Sequence, residues 1–339
     1  MSLSDIQKRI LQELYTCFFI PAEPPTAYGL RELVEVNQQE VWAGTANLYS
    51  LLRQMMADKI AFWNAVTQMV DAGFIQGDEY GNYITTAMGA LTAEDEDLPP
   101  QNLVDHNQST RICLLCILAN AYHEQGFQTS IDIEELSQKT GCNIDVIKPN
   151  LVILNQLGHT IPDRGKTKSF HITQTGMQQV TAYQEVERLK AEFKSITKLG
   201  PHERGRAFQR IFAQAVEQNG WLQEESTRTH NEEIDIIVYK GREYYIIECK
   251  WEKKRVGAEI IRELYGKLSN RIDVRGIVIS MSGFTKGAVD QAQECIPNKL
   301  ILLFGKQDAQ NIVDGKLAFE EVLDTKYKEA ITKRKITYY

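Results

Sequence analysis

The chain has 339 residues, of which 43% are hydrophobic and 24% charged, and its formal net charge is −7. This length allows two or three domains, and the composition excludes a disordered or fibrous protein. No apolar run approaches the roughly 18 residues of a transmembrane helix, and the N-terminus lacks the pattern of a signal peptide. We therefore expect a cytoplasmic protein that does not enter a membrane.

The negative charge is confined to the first third of the chain. Residues 1–107 contain 5 Lys and Arg against 15 Asp and Glu, a net charge of −10. Residues 108–200 contain 10 against 9 and residues 201–339 contain 23 against 21, which gives +1 and +2. The last two thirds of the chain can therefore approach a phosphate backbone, although the overall charge does not argue for it.

The first segment, residues 1–92, predicts three helices and a small hairpin. Apolar residues at helical spacing predict helices at 5–15, 30–36 and 57–73. Turn residues at 77–82 then separate two short strands, which form a two-stranded wing.

An acidic stretch that ends in two prolines, residues 92–100, predicts a linker. The same plan returns in residues 108–195. Its three helices and its hairpin are predicted at residues 111–122, 133–140, 148–157 and 159–173. The strand-to-helix junctions at 83–89 and 171–176 resemble each other with one residue inserted, which indicates a duplication.

Both segments resemble winged helix-turn-helix domains in plan, which place the third helix in the major groove of DNA and the wing on the backbone. The second copy fits DNA contact better, because we expect polar and basic residues to be exposed on its third helix and its wing. They are Lys148, Asn150 and Asn155 on the helix, and Arg164, Lys166 and Lys168 on the wing. An ordinary solvated surface is the alternative. The acidic first copy favours contact with a protein or a regulatory role.

The third segment, residues 203–339, alternates helices and strands, which indicates an α/β domain with a mixed sheet. A hairpin is predicted across 234–251, around the turn Lys240-Gly241-Arg242. The other helices are predicted at 205–219, 257–269 and 285–294, and the other strands at 276–280 and 300–304.

The hairpin predicts a catalytic site. Side chains alternate along a strand, so Glu248 and Lys250 lie on one face, and pairing of the two strands brings Asp235 to the same point. Two carboxylates suit Mg²⁺ or Mn²⁺, and an ammonium group beside the ion can act on its bound water. These groups together can hydrolyse a phosphodiester. A surface ion pair at a sheet edge is the alternative.

Four short motifs follow one another in this segment: Glu248-Cys249-Lys250, Val256-Gly257, Arg262-Glu263-Leu264-Tyr265-Gly266 and Ser282-Gly283-Phe284-Thr285. In this order they closely resemble the catalytic domain of Mrr-type restriction endonucleases, members of the PD-(D/E)xK nuclease superfamily, over residues 203–305. The resemblance implies a restriction-endonuclease-like mixed sheet flanked by helices. With two winged-helix domains before it, the chain as a whole is expected to be α+β.

The resemblance also implies roles for the predicted site. Asp235 and Glu248 would ligate Mg²⁺ together with the Cys249 carbonyl oxygen, and Lys250 would orient the attacking water or stabilise charge on the phosphorus. Many Mrr relatives have Gln where this chain has Glu248, and a charged ligand favours metal binding.

The first helix of such domains often carries a Glu directed at the metal, but the corresponding stretch here offers Gln209. Glu203, a turn or more earlier, is a possible substitute. Glu263 is a further accessory candidate, although an ion pair with Arg262 or Lys267 explains it equally well.

Further residues are candidates for contact with the DNA backbone. They are Lys253, Lys254 and Arg255 after the site strand, and Ser282 and Thr285 where a later strand leads into a helix. For Thr285, an ordinary helix N-cap is at least as good an interpretation.

The leading hypothesis is a metal-dependent endodeoxyribonuclease of restriction or defence type, with modified DNA as one candidate substrate. One such site cuts one strand, so duplex cleavage calls for a homodimer or for sequential nicking. The first alternative is a non-catalytic winged-helix DNA-binding regulator with a nuclease-fold scaffold. The second is a nuclease of RNA or branched DNA.

Overall fold

The computed structural model of the protein describes seven stretches of the chain: residues 3–20, 29–36, 39–77, 82–126, 129–163, 168–229 and 232–338. The chain divides into two compact units, residues 1–181 and 182–339, and the boundary falls inside a helix. The combination of helices with a mixed sheet expected from the sequence is confirmed.

The first unit contains two similar series of elements. The first series is α1 (Asp5–Phe19), β1 (Gly29–Val36), β2 (Gln39–Asn47), α2 (Leu48–Met55), α3 (Lys59–Asp71), β3 (Ile75–Gly77), β4 (Asn82–Thr85) and α4 (Ala87–Asp95). The second series is α5 (Gln101–Gln125), β5 (Ile131–Asp132), α6 (Ile133–Thr140), α7 (Ile144–Gln156), β6 (Thr160–Pro162), β7 (Ser169–Ile172) and α8 (Gln174–Ser195).

The two series share a sheet order and a capping arrangement. Strands β2-β4-β3 and β5-β7-β6 are neighbours in the same order. Thr86 and Thr173 cap the helices that follow, and each donates a 2.6 Å hydrogen bond to the carbonyl oxygen of a glycine that ends an earlier helix, Gly73 or Gly158.

A glycine in the first turn of α4 and of α8 permits the same close approach in both series. A Cβ atom on Gly89 would lie 1.9 Å from the Phe74 carbonyl oxygen, and one on Gly176 would lie 2.2 Å from that of His159. Only glycine fits such a contact. The two series therefore share their local structure at the junctions where the sequence indicates a duplication. The duplication and the winged-helix assignment stay predictions.

The predicted helix at 30–36 is wrong, because these residues form strand β1. The strand pairs antiparallel with β2 along its whole length, from Gly29 opposite Ala46 to Val36 opposite Gln39. The local apolar spacing suits a helix, but eight pairs with a neighbouring strand outweigh that local preference.

Helix α7 lies between the hydrophobic cores of the two series. Ile147, Leu151 and Leu154 are buried in the core of the second series. Val152 and Ile153 are buried in the core of the first. The helix predicted to enter a DNA groove therefore has its central part covered by the first series.

The expected exposure of polar residues on α7 is wrong for Asn150, which is fully buried. Its side chain donates to Asn107 Oδ1 at 3.2 Å and accepts from Arg111 at 3.4 Å. Lys148 is half-buried, and Asn155 donates to a backbone carbonyl in β6 at 3.1 Å. The prediction of exposure rested on polarity alone, but the side-chain amides of Asn150 and Asn155 form hydrogen bonds within the protein.

A buried ion pair joins the two series. Arg111 donates to both oxygens of Glu94, at 2.8 and 2.6 Å, and the Tyr15 hydroxyl donates to the same carboxylate at 2.7 Å. Burial and the negative Glu94 raise the pKa of the Tyr15 phenol. The predicted linker at 92–100 is thus wrong in its first part, because α4 continues to Asp95 and Glu94 is only 6% exposed.

The second unit begins within α8 and is built around a five-stranded mixed sheet in the order β12-β11-β10-β9-β8. Its elements are a 3₁₀ turn (Ile196–Lys198), α9 (Pro201–Gln218), β8 (Leu222–Thr229), β9 (Glu232–Lys240), β10 (Glu243–Lys250), α10 (Ala258–Ser269), β11 (Val274–Ser280), α11 (Lys286–Cys295), β12 (Ile301–Phe304), α12 (Lys306–Val313) and α13 (Phe319–Lys333).

Strand β10 runs antiparallel to β9 and parallel to β11, which makes the sheet mixed as predicted. Residues Gly276–Ser280 of β11 are all buried, so both faces of the sheet centre are covered. The edge strand β8 was not predicted, because its residues are mostly polar and lack the alternation of apolar and polar residues that is typical of a strand. In the described part of the chain, no helix has the length and apolarity needed to cross a bilayer.

We expect Arg111→Met to lower the free energy of unfolding by about 3–5 kcal/mol, because it leaves the buried Glu94 carboxylate without its cation. Urea unfolding of the full chain followed by circular dichroism measures the change. Lys139→Met is the matched control, since its 2.9 Å pair with Glu135 is exposed and contributes only about 0.3–0.5 kcal/mol. Equal effects of the two substitutions would show that the Glu94–Arg111 pair does not join the unit.

Candidate active site

The hairpin of β9 and β10 sets the geometry of the site. Its two-residue turn contains Gly241 with φ +62°, a conformation that glycine adopts without strain. Ile236 pairs with Ile247, and both are fully buried on one face of the sheet. The predicted hairpin is therefore confirmed.

Asp235 and Glu248 lie side by side at the end of this ladder. Asp235 precedes Ile236 and Glu248 follows Ile247, so antiparallel pairing sets the two carboxylates opposite each other on the same face. The Cys249 backbone N–H donates to Asp235 Oδ2 at 2.8 Å, which fixes the orientation of that carboxylate.

Lys250 joins the pair from two residues further along β10. Its Nζ lies 3.7 Å from Glu248 Oε2, and its side chain is 25% exposed. The Glu248 side chain is 8% exposed. The three residues expected at one point of the sheet are thus brought together.

A lysine that the sequence did not assign to the site also contacts Glu248. Lys267 of α10 donates a short hydrogen bond to Glu248 Oε1. Helix α10 approaches the sheet closely there, because a Cβ atom on Gly276 would lie 2.9 Å from both Leu264 and Leu268. The sequence signal was weak, since Lys267 is 19 residues from Glu248 and only the packing of α10 brings them together.

Burial has the largest effect on the pKa of Glu248. Desolvation and the neighbouring Asp235 raise the pKa of Glu248, while Lys267 and Lys250 act in the opposite direction. Burial also raises the pKa of the Cys249 thiol well above its usual value, so this cysteine stays protonated and packs in the core.

A cleft of about 960 Å³ opens beside the site within the second unit. Asp235 and Lys250 line it from the strands, and Glu203 and Gln209 line it from α9. Both accessory candidates on α9 therefore face the same space as the predicted catalytic residues. Glu263 is exposed on α10 and is not among the residues that line the cleft.

The donor atoms suit a small, hard cation. In the described residues no group of three or more His, Cys, Asp and Glu side chains is placed to hold an ion, so the carboxylates are limited to a pair. Mg²⁺ is commonly bound by one or two carboxylates, with water and substrate phosphate completing its shell. Asp235 and Glu248 fit this donor set, with the Gln209 amide within the same cleft.

The predicted DNA-contact residues of this unit have different surroundings. Lys253, Lys254 and Arg255 are exposed after β10. Ser282 donates to the Lys254 carbonyl oxygen at 2.6 Å, and Thr285 caps α11 by accepting from a backbone N–H at 3.2 Å. The two hydroxyls thus form hydrogen bonds within the protein, and the three basic side chains face solvent.

In the first unit, Arg164 and Lys166 lie outside the described residues. Lys168 is exposed and has a φ of +64° at the start of β7. A contact of these three wing residues with DNA stays a prediction.

A comparison with known families identifies part of the second unit. Residues 202–310 match the Mrr_cat family model, described as a restriction endonuclease. This segment is a restriction endonuclease domain. It contains Glu248 together with Asp235, Lys250 and Lys267, and the resemblance read from the ordered motifs is confirmed. No curated protein matches the chain significantly.

Three solved structures are similar to parts of the chain. AF1548, a protein of unknown function, is 20% identical with a TM-score of 0.26, covering 36% of this chain and 66% of that one. The MspJI restriction endonuclease, solved with a 27-mer oligonucleotide, is 14% identical with a TM-score of 0.28, covering 46% and 37%. VC1899 from Vibrio cholerae is 10% identical with a TM-score of 0.27, covering 62% and 50%. Each match spans less than two thirds of the other chain.

We expect Asp235→Ala to be less stable than Asp235→Asn. The amide oxygen of Asn can still accept from the Cys249 N–H, whereas Ala leaves this group without its acceptor at a cost of about 1–3 kcal/mol. Urea unfolding of both variants measures the difference. If the two unfold at the same urea concentration, Asp235 has no part in orienting the end of β10.

Proposed function

We propose that the protein is a metal-dependent endodeoxyribonuclease that hydrolyses phosphodiester bonds in DNA as part of a restriction system. The observation that carries the proposal is the pair Asp235 and Glu248 with Lys250 beside the cleft of a restriction endonuclease domain. An acidic pair next to one ammonium group supplies both a cation site and a donor to phosphate.

In this proposal Asp235 and Glu248 hold Mg²⁺ or Mn²⁺. When bound, such an ion supplies positive charge for the phosphate and makes a coordinated water more acidic. Lys250 donates hydrogen bonds to the attacking water or to a phosphate oxygen, where a compact ammonium stabilises the developing negative charge. The Cys249 N–H keeps Asp235 in a fixed orientation, so little reorganisation precedes the reaction.

The surroundings of the site favour DNA as the substrate. Arg206 and Arg210 line the cleft beside Asp235, and the exposed loop 253–255 contributes three further cations at the end of the site strand. Such cations position a phosphate backbone without reading its sequence. Selection of a site in DNA, and of modified bases, is assigned in this proposal to the first unit and its winged-helix-like series.

A single site of this kind cuts one strand. Cleavage of a duplex therefore requires a homodimer or two successive nicking events, and we propose the homodimer.

A second candidate function is a DNA-binding regulator in which the nuclease domain is a scaffold. Two observations favour it: Gln209 faces the cleft where the family often has a Glu, and Lys267 already engages Glu248. Both features lower the negative charge available to a metal ion.

Nicking of supercoiled plasmid in the presence of Mg²⁺ or Mn²⁺ tests the proposed function. We expect Asp235→Asn and Lys250→Met each to lower the nicking rate by about 100-fold or more, because they remove a metal ligand and the cation at the phosphate. Lys316→Met is the matched control, since this lysine is 65% exposed in the turn after α12, and its rate should stay at the wild-type value.

Nicking that is insensitive to a chelator, or that survives either site substitution undiminished, contradicts the assigned roles. A wild-type chain that binds DNA and never cuts it with either metal is a regulator.

We expect Gln209→Glu to lower the metal concentration for half-maximal nicking by about threefold to tenfold, because it adds a carboxylate to the cleft. Gln218→Glu adds the same charge to the same helix, at an exposed position that does not line the cleft. A metal titration of the nicking rate compares the two variants. Identical midpoints would show that Gln209 does not face the bound ion.

A further inference from the structure

Two ammonium groups surround the one buried carboxylate of the site. Lys267 contacts Glu248 Oε1, and Lys250 lies 3.7 Å from Oε2. Each oxygen of the Glu248 carboxylate therefore has its own cation, and these cations come from different elements, a strand and a helix.

Among the described residues that contact Glu248 or pair with it, carboxylates and ammonium groups are equal in number. Asp235 and Glu248 contribute two negative charges, and Lys250 and Lys267 contribute two positive charges. Gln209 adds a polar group to the cleft and no charge. Each ammonium group beside the carboxylates weakens their attraction for a divalent cation, because its positive charge repels the ion.

Lys267 is held in this position by the packing of its helix. Ile261, Leu264 and Leu268 of α10 are fully buried in the core of the second unit. The Lys267 side chain is only 18% exposed and reaches Glu248 between the helix and the sheet. Its ammonium is thus a fixed part of the site and not a mobile surface charge.

We propose that Lys267 is a positioning residue that sets the affinity of the acidic pair for a divalent cation. It acts through Glu248: it holds Oε1 in place and supplies a built-in positive charge with which an incoming ion must compete. This inference rests on the proposed function, because it takes Glu248 as a metal ligand. The charge on Lys267 then keeps the site weakly occupied until a further negative group, such as a phosphate of DNA, enters the cleft.

Metal binding to the full chain without DNA tests the inference. Mn²⁺ binding is measured by electron paramagnetic resonance of the free ion, and Mg²⁺ binding by calorimetry. We expect Lys267→Gln, which keeps a hydrogen-bond donor for Glu248 and removes the charge, to bind both ions about tenfold more tightly. Lys267→Met should do the same, Lys267→Arg should stay within about threefold of wild type, and Lys316→Gln should leave the affinity unchanged.

The inference is overturned if Lys267→Gln binds either ion with the wild-type affinity or more weakly. It is also overturned if Lys267→Arg tightens binding as much as the uncharged variants, because the effect would then come from packing. Should Lys267→Met fail to fold, Lys267→Gln decides alone, with thermal unfolding as the check on its fold.

The proposed function fails separately from this inference. A wild-type chain that does not nick DNA, but whose Lys267→Gln variant binds Mn²⁺ more tightly, retains the role of Lys267 and loses the nuclease assignment. Normal nicking together with an unchanged metal affinity in Lys267→Gln retains the nuclease assignment and loses the role of Lys267. If no variant binds either ion in the absence of DNA, the proposed role of Lys267 is wrong, and the nicking assay alone decides the nuclease assignment.

Discussion

The site depends on the burial of the Glu248 carboxylate at the end of a central strand. A buried charge needs opposite charges or hydrogen bonds around it, or it becomes costly enough to destabilise the fold. Here the strand supplies Lys250, the following helix supplies Lys267, and the neighbouring strand adds the second carboxylate, Asp235. The fold thus concentrates four charges at one point, and the chemistry proposed for the domain uses that concentration.

The first unit contains a buried carboxylate whose role differs from that of Glu248. Glu94 is as deeply buried as Glu248, but Arg111 and Tyr15 already donate to both of its oxygens. Tyr15, Gln108 and Arg111 all donate to it, so the Glu94 pair serves to join two parts of the structure. At Glu248 a second negative group and an adjacent cleft coincide, and this combination distinguishes a candidate active site from a structural ion pair.

The parts of the structure that the sequence predicted well are those with local signals. Gly241 marks the turn between two β-forming runs, and strand alternation then fixes which side Glu248 and Lys250 share. Lys267 carries no such signal, because its contact with Glu248 exists only after α10 has packed on the sheet. The prediction for Asn150 was wrong for the same reason. Its polarity suggests exposure to solvent, whereas packing of the first series on α7 places it among buried partners.

The sharing of α7 limits how the first unit can contact DNA. A helix that inserts into the major groove needs a continuous exposed face. Lys148 and Val152 are one turn apart on the same face of α7, and Val152 is buried in the core of the first series. A complete reading face would require the two series to separate, which would expose both the apolar face of α7 and the Glu94–Arg111 pair. Because that separation is costly, the proposed contact of the second series with DNA would fall to the exposed residues around its hairpin, such as Lys168, and to the partly exposed start of α7.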